Sequence, residues 1–256
     1  MHELPGEELL AALEAGEVRA AEPLADGSWR VQAWVKAAIL ELFRTRPALE
    51  VGAARELWPF VDKLGVRAFD RSAGVRFVPG GSAVRRGAYV GAGCVLMPPC
   101  YVNVGAHVGP GTMIDSHALV GSCAQIGARV HLSAGAQVGG VLEPVGARPV
   151  IVEDEVLVGG QCGLYEGVLV RRRAVLGAGV ILTASTRVYD LVHERELTGS
   201  VELPLEIPAD AVVVPGMRPA SGAWARQHGL ALACATIVKY RDATTDARTA
   251  LEDALR

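Results

Sequence analysis

Aromatic side chains are scarce in this sequence, at 5% of 256 residues. Half of the residues are hydrophobic all the same, so the core has to be packed from Val, Leu, Ile and Ala, and 30 glycines let backbones approach closely. That combination favours a repetitive β architecture, and the chain is long enough to bury a sizeable core with small flanking regions. Basic tracts are missing beyond Arg171, Arg172 and Arg173, and the formal net charge is −3, so the electrostatic footprint of a nucleic-acid binder is absent. The triple arginine is expected to be a solvated face. No apolar run reaches the roughly 18 residues of a membrane span. The acidic opening "MHELPGEELLAALEAGE" lacks the order of a signal peptide, so no membrane partner and a cytoplasmic location are expected. The cysteines (Cys94, Cys100, Cys123, Cys162, Cys234) are odd in number and have no CxxC spacing. They fit neither a zinc knuckle nor a disulfide framework and read as reduced thiols.

What is present is a period of six. From Val84 the positions Val90, Leu96, Val102, Val108, Ile114, Val120, Ile126, Leu132 and Val138 are all aliphatic, and the register restarts at Val152 with Val158, Leu164, Val170, Leu176, Leu182 and Val188. Four positions after each, the side chain is mostly small or β-branched, as at Ala88, Cys94, Cys100, Ala106, Thr112, Cys162 and Ala174. One large and one small inward position per six residues suits a short strand followed by a tight corner. A helix needs spacings of three and four and a hairpin strict alternation, so neither explains the period. Three such sides close one turn of about 18 residues. Cys123 falls in a corner, where a side chain can be exposed.

The expected organisation is a mostly helical N-terminal domain over 1–75, a coil over 76–193 and a C-terminal region of strands and helix over 194–256. In "WRVQAWVKAAILELFRTRP", Val31, Trp34, Val35, Ala38, Ile39 and Leu42 share a helical face and Pro47 ends the element. Residues 7–15 form a shorter helix, and the region covers the open end of the coil. "AVVVPG" and "LALACATIVKY" read as strands, and "DARTALEDALR" as a final helix. The period breaks at 139–151, where the fourteen residues from Val138 to Val152 are two more than two hexads. Such an excursion has to leave the core, and loops of that kind often shape binding sites.

One corner stands out in "GTMIDSHALVGS": Gly109 and Gly121 follow their aliphatic residues, but Asp115 follows Ile114. Asp tolerates turns, so a purely local role is one reading. His107, His117 and His131 are separated by intervals that are not multiples of a turn, so no metal site is expected.

The hexads, together with "VLMPPCYVNVGAHVGPGTMIDSHALVGSCAQIGARVHLSAGAQVGGVLEP", "STRVYD", "VVVPGMRP" and "CATIVKYRDATT", strongly resemble the tetrahydrodipicolinate N-succinyltransferase family of hexapeptide-repeat acyltransferases. The resemblance implies a mainly β chain built on a left-handed parallel β-helix. It implies a homotrimer with sites between subunits, no bound cofactor, and succinyl-CoA as co-substrate for a dicarboxylic amine, the tetrahydrodipicolinate-like 2-amino-6-oxopimelate. It places a catalytic, substrate-contacting aspartate at Asp115 and a substrate-contacting arginine at Arg76. His117, two residues from Asp115, is a candidate acceptor contact or proton carrier, Ser122 a candidate substrate contact, and Ser133, Gly139 and Lys239 candidate contacts to CoA. The chemistry suits these types, since a guanidinium holds a carboxylate and a carboxylate can take the proton of an attacking amine.

The family's catalytic glutamate aligns with Gly163, its arginine two residues earlier with Gln161, and a tryptophan with His117. The nearest carboxylate is Glu166, which becomes the second catalytic candidate. Two alternatives stay open: a diverged acyltransferase using another acyl-CoA or amine in a specialised pathway, or a non-catalytic paralogue that binds a CoA ester or dicarboxylate.

Overall fold

The computed structural model describes residues 4, 6–51, 60–200 and 202–242. Its centre is three parallel sheets that the chain visits in rotation. Sheet I takes Arg76–Phe77, Val95–Leu96, Met113–Ile114, His131–Leu132, Leu157–Val158 and Val175–Leu176, then the longer strand Ala211–Pro219. Sheet II takes Ala83–Val84, Tyr101–Val102, Leu119–Val120, Gln137–Val138, Gly163–Leu164 and Ile181–Leu182, and sheet III runs from Tyr89–Val90 to Glu206–Ile207. Strands one turn apart pair residue for residue, as in Met113 with His131 and Ile114 with Leu132. From Val84 onward the second residue of each short strand of the coil points inward, which is why the aliphatic column is buried without a gap from Val84 to Leu182. The small column, Ala88 through Val180, fills the corners of the same core.

Two features depart from the register read in the sequence. Ile126 pairs with Val152, so the chain passes directly from sheet II to sheet III across residues 139–150. The fourteen-residue interval replaces a single six-residue step, not two. After Leu182 the next aliphatic residue, Val188, does not join sheet III. It opens a hairpin of Val188–Asp190 with Arg195–Leu197, and Ile207 takes the place beside Val170. The ladders thus run past residue 193 to Ile207 and Val213. In the hairpin Asp190 is buried and accepts hydrogen bonds from Tyr240 Oη at 2.8 Å and Arg195 Nε at 3.0 Å, with His193 Nδ1 at 2.9 Å. Burial alone pushes its carboxyl up, but these partners outweigh burial and hold it well below the usual range.

In the N-terminal region, helix α1 (Gly6–Ala15) buries Leu9, Leu10, Ala12 and Leu13. Helix α2 (Ala33–Thr45) buries Val35, Lys36, Ile39 and Leu42. Between them lies an antiparallel pair, Ala21–Pro23 with Trp29–Val31, so Val31 belongs to a strand and not to the helical face. The helices pack with Val104 and Cys123, at the corner between sheets II and III. They therefore flank the side of the coil and do not merely cover its end. Cys123 is fully buried there, and burial pushes its thiol up to about 12 against the opposing charge of Lys36. All five cysteines are buried thiols outside any disulfide.

Lys36 is fully buried, and its Nζ donates to the carbonyls of Ala147 (2.7 Å) and Pro144 (3.3 Å), which ties the excursion to α2. The expected C-terminal strands are present as Ala211–Pro219 and Ala231–Tyr240, paired antiparallel. The expected final helix lies outside the described residues. No helix among the described residues is long and apolar enough to cross a membrane.

Candidate active site

Asp115 sits where sheet I turns into sheet II. In the glycine slots on either side, the turns stack too closely for a side chain. A Cβ on Gly109 would lie 2.5 Å from the carbonyl carbon of Gly127, and one on Gly121 would lie 2.2 Å from the nitrogen of Gly140. At the I–II corner four successive turns carry side chains in the equivalent place, Val78, Met97, Asp115 and Ser133, above Gly159. Asp115 is half-buried, and its Oδ1 accepts the N–H of Ser116 at 2.7 Å. Its other oxygen has no partner among the described residues.

Next to it, His117 is exposed in the left-handed region at φ 63°, and its carbonyl accepts Gln137 Nε2 at 3.1 Å. Below His117 in the same column come Gly135 and then Gln161, exposed and also left-handed at φ 59°. The Gln161 side chain lies over Gly135, where a Cβ would be 2.4 Å from its Nε2. The structure thus brings Asp115, His117 and Ser133 together and adds Gln161 at the lower end of the corner.

Other residues singled out in the sequence lie elsewhere. Arg76 is exposed on sheet I, two strands above Met113 and so about 10 Å from Asp115 along the coil axis. Ser122 and Glu166 belong to the II–III corner, at the opposite end of sheet II. Glu166 Oε2 accepts the N–H of Ala184 at 2.9 Å, which makes it a local cap on the next turn. It stands two turns below Asp115 as well, again about 10 Å along the axis. Lys239 pairs with Val212 beyond the lower end of sheet I, and its Nζ is 3.1 Å from Asp242. Gly163 on sheet II and Gly139, in the II–III corner slot one turn above Tyr165, both lie against the Tyr165 ring. A Cβ on Gly139 would meet Cδ1 at 2.8 Å, and a Cβ on Gly163 would meet Cε2 at 2.5 Å and the hydroxyl at 2.9 Å.

The triple arginine is not a uniformly solvated face. Arg171 pairs with Glu153 at 3.0 Å and Glu206 at 2.8 Å, Arg173 pairs with Asp210 at 2.7 Å, and only Arg172 of the three is exposed. Close by is a cleft of about 480 Å³ between sheet III and the N-terminal hairpin, with Arg19, Trp29, His107, Asp154 and Arg172 on its walls. Nothing in the sequence pointed to Arg19 or Trp29, because their contacts with Gln125 and Glu153 span more than a hundred residues. Burial, with the charge of Arg19 adding to it, pushes His107 down to about 3. Among the described residues no group of three or more His, Cys, Asp or Glu is placed to hold a metal ion.

Comparison with known proteins agrees with this architecture. The family profile "Tetrahydrodipicolinate N-succinyltransferase N-terminal" matches residues 7–45, and "Hexapeptide repeat of succinyl-transferase" matches residues 149–184. A protein of Nitrobacter hamburgensis named 2,3,4,5-tetrahydropyridine-2,6-dicarboxylate N-succinyltransferase is 44% identical over 96% of this chain and 87% of its own length. Proteins of the same name from Azoarcus sp. and Aromatoleum aromaticum are 49% and 46% identical, each over 97% of this chain and 88% and 87% of their own lengths. The chain belongs to the tetrahydropyridine-2,6-dicarboxylate N-succinyltransferase family.

Proposed function

We propose that this protein transfers the succinyl group of succinyl-CoA to the amino group of a tetrahydrodipicolinate-like dicarboxylic acceptor. The observation that carries the reading is Asp115: one carboxylate oxygen is fixed by the Ser116 N–H and the other is open, with His117 and Ser133 beside it. The names of its relatives support the substrate class. In this reading the coil is a left-handed parallel β-helix, and three copies assemble in the cytoplasm with the acyl-CoA in the groove between two of them. Ser133 and Gly139 then face the CoA arm and Arg76 fixes an acceptor carboxylate.

The acceptor nitrogen, in its neutral form, attacks the thioester carbonyl carbon. The C–N bond forms and the carbonyl π pair moves onto oxygen. The open oxygen of Asp115 takes the proton the nitrogen must lose. Collapse re-forms the carbonyl and breaks the C–S bond, and Asp115 returns the proton to the departing sulfur. Free CoA thiol and an amide result.

Thiol release from succinyl-CoA, measured against a panel of amino dicarboxylates, tests this. Asp115→Ala should lower the rate by roughly 100-fold or more, the usual loss of a proton-transfer group. CoA-ester binding without turnover of any acceptor would leave a binding-only paralogue. A second reading, the same chemistry on another acyl-CoA or amine, is favoured by the Tyr165 ring over Gly163. Faster release from acetyl-CoA than from succinyl-CoA in the same assay would select it.

A further inference from the structure

We infer that Tyr165 is a substrate-facing hydrogen-bond donor, seated on Gly139 and Gly163 so that its hydroxyl addresses an anionic oxygen of the bound acyl group. This rests on the reading that the Asp115 corner is the reaction site. The outer face of sheet II carries, turn by turn, Tyr101, Leu119, Gln137, Gly163 and Ile181. In that column only position 163 lacks a side chain, and the missing volume is filled from Tyr165. Its Cε2 and hydroxyl lie 2.5 and 2.9 Å from where a Cβ would stand, while Cδ1 rests on Gly139 one turn above. Two glycines on adjacent turns therefore make a flat bed for one ring.

The ring runs from the II–III end of the sheet back toward the I–II corner, where Gln161 is exposed two residues before Gly163. Packing alone would be served by a bare phenyl ring. The hydroxyl instead has no hydrogen bond among the described residues, and Tyr165 is only half-buried, so this polar end is presented outward. A phenol and a neighbouring amide offer donors without negative charge, which suits a carboxylate or an oxyanion.

The terminal carboxylate of succinyl-CoA meets this description, because Gly163 lies two turns below the Asp115 level, about 10 Å along the axis, too far for the hydroxyl to reach an oxyanion held at Asp115. Tyr165→Phe keeps the ring on its bed and removes only the donor. The expected result is an unchanged melting temperature with kcat/KM for thiol release lowered roughly tenfold, the scale of one hydrogen bond to a charged group. An equal loss with succinyl-CoA and with acetyl-CoA, which lacks that carboxylate, overturns the inference. A rise in KM confined to succinyl-CoA assigns the hydroxyl to the acyl carboxylate. Wild-type kcat/KM with both donors overturns the inference, as does a loss that disappears when rates are normalised to folded protein. If the wild-type protein turns over no acceptor, the proposed function fails by itself. Calorimetric binding of succinyl-CoA then decides about Tyr165: weaker binding by Tyr165→Phe supports it, and an equal Kd overturns it.

Discussion

The ammonium of Lys36 lies 2.7 Å from the carbonyl oxygen of Ala147, so helix α2 grips the excursion from inside the protein. Lys36 is fully buried, and no carboxylate pairs with it among the described residues. Its charge is held by backbone carbonyls alone. Lys36→Ala removes these donors and leaves a void, at a cost of about 2–4 kcal/mol. Lys36→Met keeps most of the volume and should lose less. Urea titrations of the three proteins check the order, and a wild-type midpoint for Lys36→Ala would refute the tether.

The seat of Tyr165 predicts that position 163 does not accept a carboxylate side chain alone. Gly163→Glu forces the ring aside and should destabilise the fold by about 1–3 kcal/mol, the usual cost of overpacking. Vacating the seat in Gly163→Glu/Tyr165→Val should recover most of that loss. Equal melting temperatures for the single and double variants would show that the ring is no obstacle.

His107 predicts a pH dependence of stability. Its Nδ1 is buried without a hydrogen-bond partner, and burial with Arg19 pushes it down to about 3, against 6.5 for a free histidine. Between these values the unfolded chain binds a proton that the folded chain refuses, so stability rises with pH. Full stability is present above about 6.5 and is lost as the pH falls toward 3, by at most about 1.4 kcal/mol per pH unit. In His107→Gln this part of the slope should vanish. Melting curves at several pH values between 7.5 and 4.5 measure it, and parallel slopes in the two proteins would exclude His107 as the source.

The buried thiols predict chemical inertness. Cys123 packs under α2 with its thiol pushed up to about 12. A coloured disulfide reagent at pH 8 should titrate few or none of the five cysteines in the folded protein and all of them after denaturation. Rapid reaction of Cys123 in the native state would contradict its burial.

Much of the coil was legible because each inward aliphatic residue repeats a local pattern that burial enforces turn after turn. What the pattern does not carry is the count of sides. Read as two hexads plus two, the stretch from Val138 to Val152 shifts every later strand onto the wrong sheet. The observed pairing of Ile126 with Val152 puts Glu166 at the II–III corner, away from Asp115. Val188 failed for a related reason: its pairing with Leu197 and Ala235 is non-local and leaves no trace in a six-residue period. Lys36 was hidden too, since its partners are carbonyls more than a hundred residues away. At the site, Asp115 was legible as an exception to a glycine slot, while Tyr165 was not, because its meaning lies in the two glycines beneath it.

Pairing of every turn with the next gives the coil the character of a ruler. Side chains on one corner stand on marks about 4.8 Å apart, fixed by backbone hydrogen bonds that no single substitution stretches. Asp115 and Ser133 occupy adjacent marks, and Gln161 lies two marks below His117. A chain built this way adapts to a longer or shorter substrate by changing which mark bears which group, not by bending. The eight extra residues of the excursion leave the spacing of the marks on both sides of it intact.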